Sequence, residues 1–171
     1  MDARTFRVEE RLRDGTAVTF RAMRPDDRDH VREAYSRLSP EAIYMRAFRY
    51  KKELSERELT RLTDVDFGRE VALVVTVGAA AEETVIAGGR YMCTDETAAE
   101  VAFTVDERYR GQGIAGRLLK HLAAIARGRG IVRFDAEVLA NNQPMLAVFE
   151  RSGLSMERRR EGSVVHVELA L

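Results

Sequence analysis

The sequence holds one cysteine, Cys93. An internal disulfide is therefore excluded, and so is a metal site built on cysteines. Cys93 itself reads as a small core residue of a strand. Neither sign of charge is in excess, with 28 basic and 28 acidic residues. Nothing therefore draws the chain as a whole to nucleic acid or to an acidic membrane. Long hydrophobic runs are missing too: the longest apolar stretch, Val71 to Ala81, falls short of the about 20 residues that a membrane helix needs. The start, "MDARTFRVEERLRDG", has no apolar h-region, so no signal peptide is expected and the protein reads as soluble and cytoplasmic. His30, His121 and His166 are scattered without metal-ligand spacing, so no metal is expected. There is no repeat, low-complexity tract or linker.

What remains is a chain of 171 residues, 45% hydrophobic, long enough for one domain over residues 1–171 with a real core. "FRVEERLRDGTAVTFRAM" alternates as two strands around Asp14-Gly15, a tight-turn dipeptide. After Pro25, Val31, Ala34, Tyr35 and Leu38 recur at helical spacing. A short helix is expected after Ser39 and Pro40, and another after the capping-box pair Ser55 and Glu58. Three strands follow in "EVALVVTVG", "TVIAGGRYMC" and "AAEVAFTV". Ile114, Leu118, Leu122, Ile125 and Ala126 trace one face of a helix running from Gly113 to about Arg129. "IVRFDAEVL" reads as a buried strand, "NQPMLAVFERSG" as a helix ending at Gly153, and "SVVHVELAL" as a last alternating strand. Between those two elements, the basic cluster Arg158 to Arg160 reads as a solvated strand face. The order implies a mixed α/β domain with a helical crossover between neighbouring parallel strands.

"YRGQGIAGRLL" is the unusual segment. Glycine costs about 1 kcal/mol against alanine within a helix, yet Gly111, Gly113 and Gly116 crowd the start of one. Unpartnered N–H groups and the dipole make such a start an anion site, and glycines let a phosphate approach the backbone. Arg110 adds a cationic fork. "GQGIAG" matches the dinucleotide string Gly-x-Gly-x-x-Gly, which alone is weak. The dinucleotide fingerprint belongs in the first strand-helix-strand unit, and here too little chain follows for a doubly wound sheet, although Glu137 lies near the ribose-binding spacing. No Gly-Lys-Ser/Thr follows, so the segment is not a P-loop.

"VDERYRGQGIAGRLLKHLAAIARGRG" resembles the acyl-CoA-binding motif of the GNAT superfamily of N-acetyltransferases. Its signature, Gln/Arg-x-x-Gly-x-Gly/Ala, is met by Arg110, Gly113 and Ala115. "VLANNQPMLAVFERSGL" resembles the superfamily's next segment. More narrowly, "LSPEAIYMRAFRYKKELSERELTRLTDVDFGREVALV" looks like the acetyltransferase domain of Pat-type bacterial protein lysine acetyltransferases. Some of those carry a fused cyclic-nucleotide or synthetase-like domain; these 171 residues hold neither, so no such regulation is expected.

The resemblance implies a single GNAT-like domain. Its mixed, mostly antiparallel sheet carries helices on both faces and a central parallel strand pair splayed at the acyl-CoA site. It implies acetyl-CoA as co-substrate and, as acceptor, a protein lysine such as that of an AMP-forming acyl-CoA synthetase. Glu100 stands where Pat-like sequences place their catalytic glutamate, with Glu137 in the neighbouring strand as the reserve base and Asp135 structural or solvated. Backbone groups of Phe103, Thr104 and Val105 pair with the pantetheine arm in the superfamily. The turn Arg110, Gly111, Gln112, Gly113, Ile114, Ala115 and Gly116 holds the pyrophosphate. Asn142 matches the asparagine that contacts the pantetheine or thioester, and it also reads as a helix N-cap. Phe149 stands where many members place a tyrosine acid for the departing thiolate, and it has no proton to give. Tyr44, Arg46 and Phe48 are candidate acceptor contacts.

Other readings stay open on the residues alone. One is acetylation of a small amine or amino acid, since cleft shape decides the acceptor. Another is a non-catalytic acyl-CoA sensor, in which Glu100 is dispensable. A nucleotide-binding oxidoreductase is the most distant. Nucleic acid is not an expected partner.

Overall fold

The computed structural model describes residues 2–39 and 53–171. The second short helix expected after Ser39, and with it Tyr44, Arg46 and Phe48, lies outside the described residues. The chain opens with the expected hairpin, β1 (Arg7–Arg11) and β2 (Ala17–Ala22), turning at Gly15 with φ +89°. A 3-10 turn at Pro25–Asp27 leads into α1 (Arg28–Ser36). Next comes α2 (Glu56–Thr63), whose capping box forms as the spacing requires: Glu58 N–H donates to Ser55 Oγ, and Ser55 N–H to the Glu58 carboxylate. Strands β3 (Glu70–Val77), β4 (Thr84–Cys93) and β5 (Ala98–Val105) follow, then α3 (Ile114–Arg127), β6 (Arg133–Leu139) and α4 (Gln143–Glu150). The chain closes with β7 (Ser155–Glu161) and β8 (Val164–Ala170).

The eight strands form one sheet in the order β1-β2-β3-β4-β5-β6-β8-β7. Every neighbouring pair is antiparallel except β5 and β6, which run parallel across the α3 crossover. The basic cluster Arg158 to Arg160 lies on a solvated strand, as expected: β7 carries it, all three exposed, and pairs along its whole length with β8. One boundary differs from the sequence reading. Helix α4 ends at Glu150, leaving Gly153, at φ +79°, to turn the chain into β7.

Alternation along β5 sorts the two faces of the sheet. Val101 and Phe103 are buried, and Phe103 packs on Phe149 of α4 with ring centroids 6.2 Å apart. A Cβ added at Gly89 would lie 2.9 Å from the Phe103 ring and 3.3 Å from Leu122, so this glycine lets α3 and β5 close on β4. Leu118, Leu122 and Ala126 are fully buried there. Burial of each leucine is worth about 1.5–3 kcal/mol, which fixes α3 and with it the turn at its start. The opposite face carries α1 and α2 at one end, where Arg90 of β4 donates to Leu62 C=O. Beyond Glu100 that face is exposed: Arg133, Glu137, Glu157, Arg159 and Glu168 all reach solvent.

Candidate active site

The parallel pairing of β5 with β6 lasts for three residue pairs, Ala98–Arg133, Ala99–Phe134 and Glu100–Asp135. Past Glu100 the strands part. Val101 to Val105 remain paired to β4 on one side only, and β6 from Ala136 onward only to β8. The β6-facing edge of Val101–Val105 therefore presents backbone groups without a strand partner inside the sheet. Unpaired polar backbone in that position calls for another extended chain.

The loop after β5 is anchored before it reaches the glycines. Asp106, 6% exposed, accepts from Arg108 through the backbone N–H and the guanidinium, and from Arg37 Nε at 3.1 Å. The Arg108 hydrogen bonds come first among the causes that lower its pKa to about 2, so the carboxylate stays ionised. A 3-10 turn at Glu107–Tyr109 then delivers Arg110 in extended conformation.

Gly111 and Gly113 take φ +79° and +82°, a left-handed conformation that side chains resist. A Cβ at Gly111 or Gly116 would meet nothing within 4 Å, so the space over the turn is open. The helical ladder starts with Arg117 N–H to Gly113 C=O, leaving the amides from Gly111 to Gly116 without a backbone acceptor among the described residues. Ile114 and Ala115 bury their side chains, so only their backbone faces this space. Consecutive free amides at a helix start with no Cβ in the way fit an anionic group such as a diphosphate. Arg110 stands at the rim with its side chain 55% exposed and a loose 3.9 Å contact to Glu107. Gln112 is partly engaged elsewhere, its Oε1 accepting from Asp14 N–H at the tip of the β1–β2 hairpin.

Glu100 sits at the last paired position before the strands separate, between Met92 of β4 and Asp135 of β6. It is exposed, and its carboxylate has no hydrogen bond or ion pair among the described residues. The two carboxylates that β6 places on that face are engaged, whereas Glu157 and Glu168, farther out on β7 and β8, are exposed like Glu100. Asp135 contacts Arg133 Nε at 3.0 Å, and Glu137 lies 3.4 Å from His166 Nδ1. Ala102 and Thr104 share the face of Glu100 and are half-buried. Asn142 caps α4, its Oδ1 accepting from Met145 N–H at 3.3 Å, and its side-chain N–H donors have no acceptor among the described residues. Phe149 is 1% exposed, within the core. Cys93 ends β4 half-buried against the core.

The sequence reading missed one neighbour of the turn: Arg13, at the hairpin tip, reaches it across 98 positions of chain. No local pattern announces a contact of that range.

A model of the acetyltransferase (GNAT) family matches residues 17–154. An acetyltransferase of Pseudomonas aeruginosa is 33% identical over 137 residues, 80% of this chain and 74% of that protein. Acetyltransferase Pat of Mycolicibacterium smegmatis is 32% identical over 160 residues, 92% of this chain; the chain spans 47% of that protein's length. Among solved structures, the GNAT domain of S. lividans PAT superposes with a TM-score of 0.88 at 36% identity, covering 96% of this chain and 97% of that one. The chain belongs to the GNAT acetyltransferase family, and it is an acyltransferase.

Proposed function

We propose that the protein transfers an acetyl group from acetyl-CoA directly to a lysine side chain of a protein acceptor, with Glu100 as general base. The observation that carries this reading is the exposed carboxylate of Glu100, unpaired among the described residues, at the point where β5 and β6 part. On one side of it lies the unpaired edge leading to the amide-lined turn; on the other lies an open sheet face.

Acetyl-CoA supplies an activated thioester carbonyl. The turn from Arg110 to Gly116 holds its diphosphate, and the free edge of Val101–Val105 aligns the pantetheine arm as an added strand. A backbone N–H of the same edge faces the carbonyl oxygen, where negative charge develops. Asn142 has side-chain N–H groups to spare for the same arm. A lysine ammonium titrates near 10.4, so presenting it neutral at pH 7 costs roughly 4–5 kcal/mol at about 1.36 per unit. Glu100 accepts that proton, directly or through water, as the nitrogen attacks. Phe149 offers no proton, so solvent protonates the departing thiolate.

A protein acceptor suits the exposed half-sheet beside Glu100, which no helix among the described residues covers. The likeness to Pat supports the same class, and an AMP-forming acyl-CoA synthetase is the acceptor to try. The test is mass spectrometry of such synthetases incubated with the protein and acetyl-CoA. One acetylated lysine, absent with Glu100→Gln, is the expected result. Turnover on small amines with no acetylated lysine would assign the enzyme to that substrate class instead.

A further inference from the structure

The tip of the β1–β2 hairpin lies against the glycine turn. Arg13 Nη1 donates to Gly111 C=O at 3.0 Å, and Asp14 N–H donates to Gln112 Oε1 at 3.2 Å. The hairpin is held to α3 behind this contact. Arg117 Nη1 donates to Arg11 C=O at 2.6 Å and meets Glu10 at 3.3 Å, while His121 Nε2 lies 2.5 Å from the other Glu10 oxygen.

Three arginines surround the turn, and they differ in how they are paired. Arg108 is tied to Asp106, and Arg110 lies 3.9 Å from Glu107. Arg13 is exposed and has no carboxylate within 4.0 Å among the described residues; its single hydrogen bond goes to a backbone carbonyl. Its Nη2 and Nε lie 3.4 and 3.6 Å from where a Cβ on Gly113 would stand, over the residue that opens α3. A guanidinium with donors left over, fixed at the positive end of a helix beside free amides, is arranged for an anion.

We propose that Arg13 is a second cation of the diphosphate site, bracing the turn through Gly111 while its remaining N–H groups meet a phosphate. This rests on the reading of the turn as the acetyl-CoA cradle. It adds a cofactor-binding side chain from the far edge of the sheet, outside the glycine motif.

Calorimetric titration with CoA tests it on the whole chain. Arg13→Gln keeps a donor for Gly111 but removes the charge, and is expected to raise the Kd for CoA about tenfold, the scale of one charge-assisted hydrogen bond. Arg13→Lys, which keeps the charge, is expected to stay near the wild-type value. With acetyl-pantetheine, which lacks the diphosphate, the KM should be the same for wild type and both variants. Wild-type CoA affinity in Arg13→Gln overturns the proposal, and so does equal loss in Arg13→Gln and Arg13→Lys, which would leave Arg13 as a brace alone. Gly113→Ala separates the two levels. If it loses CoA while Arg13→Gln does not, the cradle stands without Arg13; if neither loses CoA, the cradle itself is misplaced.

Discussion

Two polar regions of this molecule sit on the same sheet and differ in how completely their groups are paired. The first lies at the β2 end, where Arg21 and Asp27 are buried at 3% and 1% exposure. Arg21 grips Asp27 with two bonds of 2.9 and 2.8 Å and reaches Glu83 at 2.6 Å. Arg24 N–H and His30 complete the shell of Asp27. Burial works against the Asp27 charge, but these partners outweigh it and hold the pKa below the usual value. The second region is Glu100 with the turn from Gly111 to Gly116, where carboxylate and amides alike lack partners among the described residues. A search by residue type would stop at the first, since ligand atoms of Asp27, His30 and Glu83 lie within 4.8 Å of one another. Those oxygens are already committed to the Arg21 guanidinium. Paired buried charge marks scaffold here, and unpaired exposed polarity marks the place where something else docks.

Substitutions should separate the two regions by the property they change. At the second region, Glu100→Gln removes the proposed base and is expected to lower turnover by about 10²–10⁴, with an unchanged melting temperature. At the first, Arg21→Met strands a buried Asp27 and is expected to destabilise the fold by about 3–5 kcal/mol in urea titrations. Adding Asp27→Leu to it should recover much of that loss, whereas a double variant no better than the single would show that the pair does more than neutralise itself. Arg110→Ala leaves the fold intact and is expected to weaken CoA binding by about tenfold. The smallest effect belongs to Asp106, which ties the loop before the glycine turn to Arg37 at the end of α1. Its carboxyl titrates lower folded than unfolded, so its contribution is present above about pH 4 and fades as pH falls toward about 2. Asp106→Asn should therefore flatten the acid limb of the stability curve, and an unchanged limb would place the acid sensitivity elsewhere.

Much of this was legible in the chain because the signals were local. Gly111 and Gly113 announce the turn, since only glycine takes those angles readily, and the leucines of α3 repeat at the period of the face they bury. Ser55 and Glu58 place the start of α2 for the same reason. What was hidden depends on distant partners. Strand β7, "SMERRRE", has almost no buried side and thus no hydrophobic period: its charged run marked a solvated strand face, but its pairing with β8 could not be read from it. The parting of β5 from β6 was expected from the family likeness alone; its place after Glu100 leaves no trace in alternation, which continues on both strands past the last shared bond. The role of Glu100 itself came from the likeness to Pat-type sequences, because a glutamate in a strand carries no signal of its own. Arg13 illustrates the limit most plainly, touching Gly111 from 98 positions away.

The central claim is that Glu100 acts on the acceptor while the glycine turn holds acetyl-CoA. CoA affinity and acetyl transfer measured on one preparation of Glu100→Gln test it most directly. The account predicts wild-type affinity with turnover reduced at least about a hundredfold. Normal turnover would remove Glu100 from the chemistry and point to Glu137, and lost affinity would show that Glu100 serves binding rather than proton transfer.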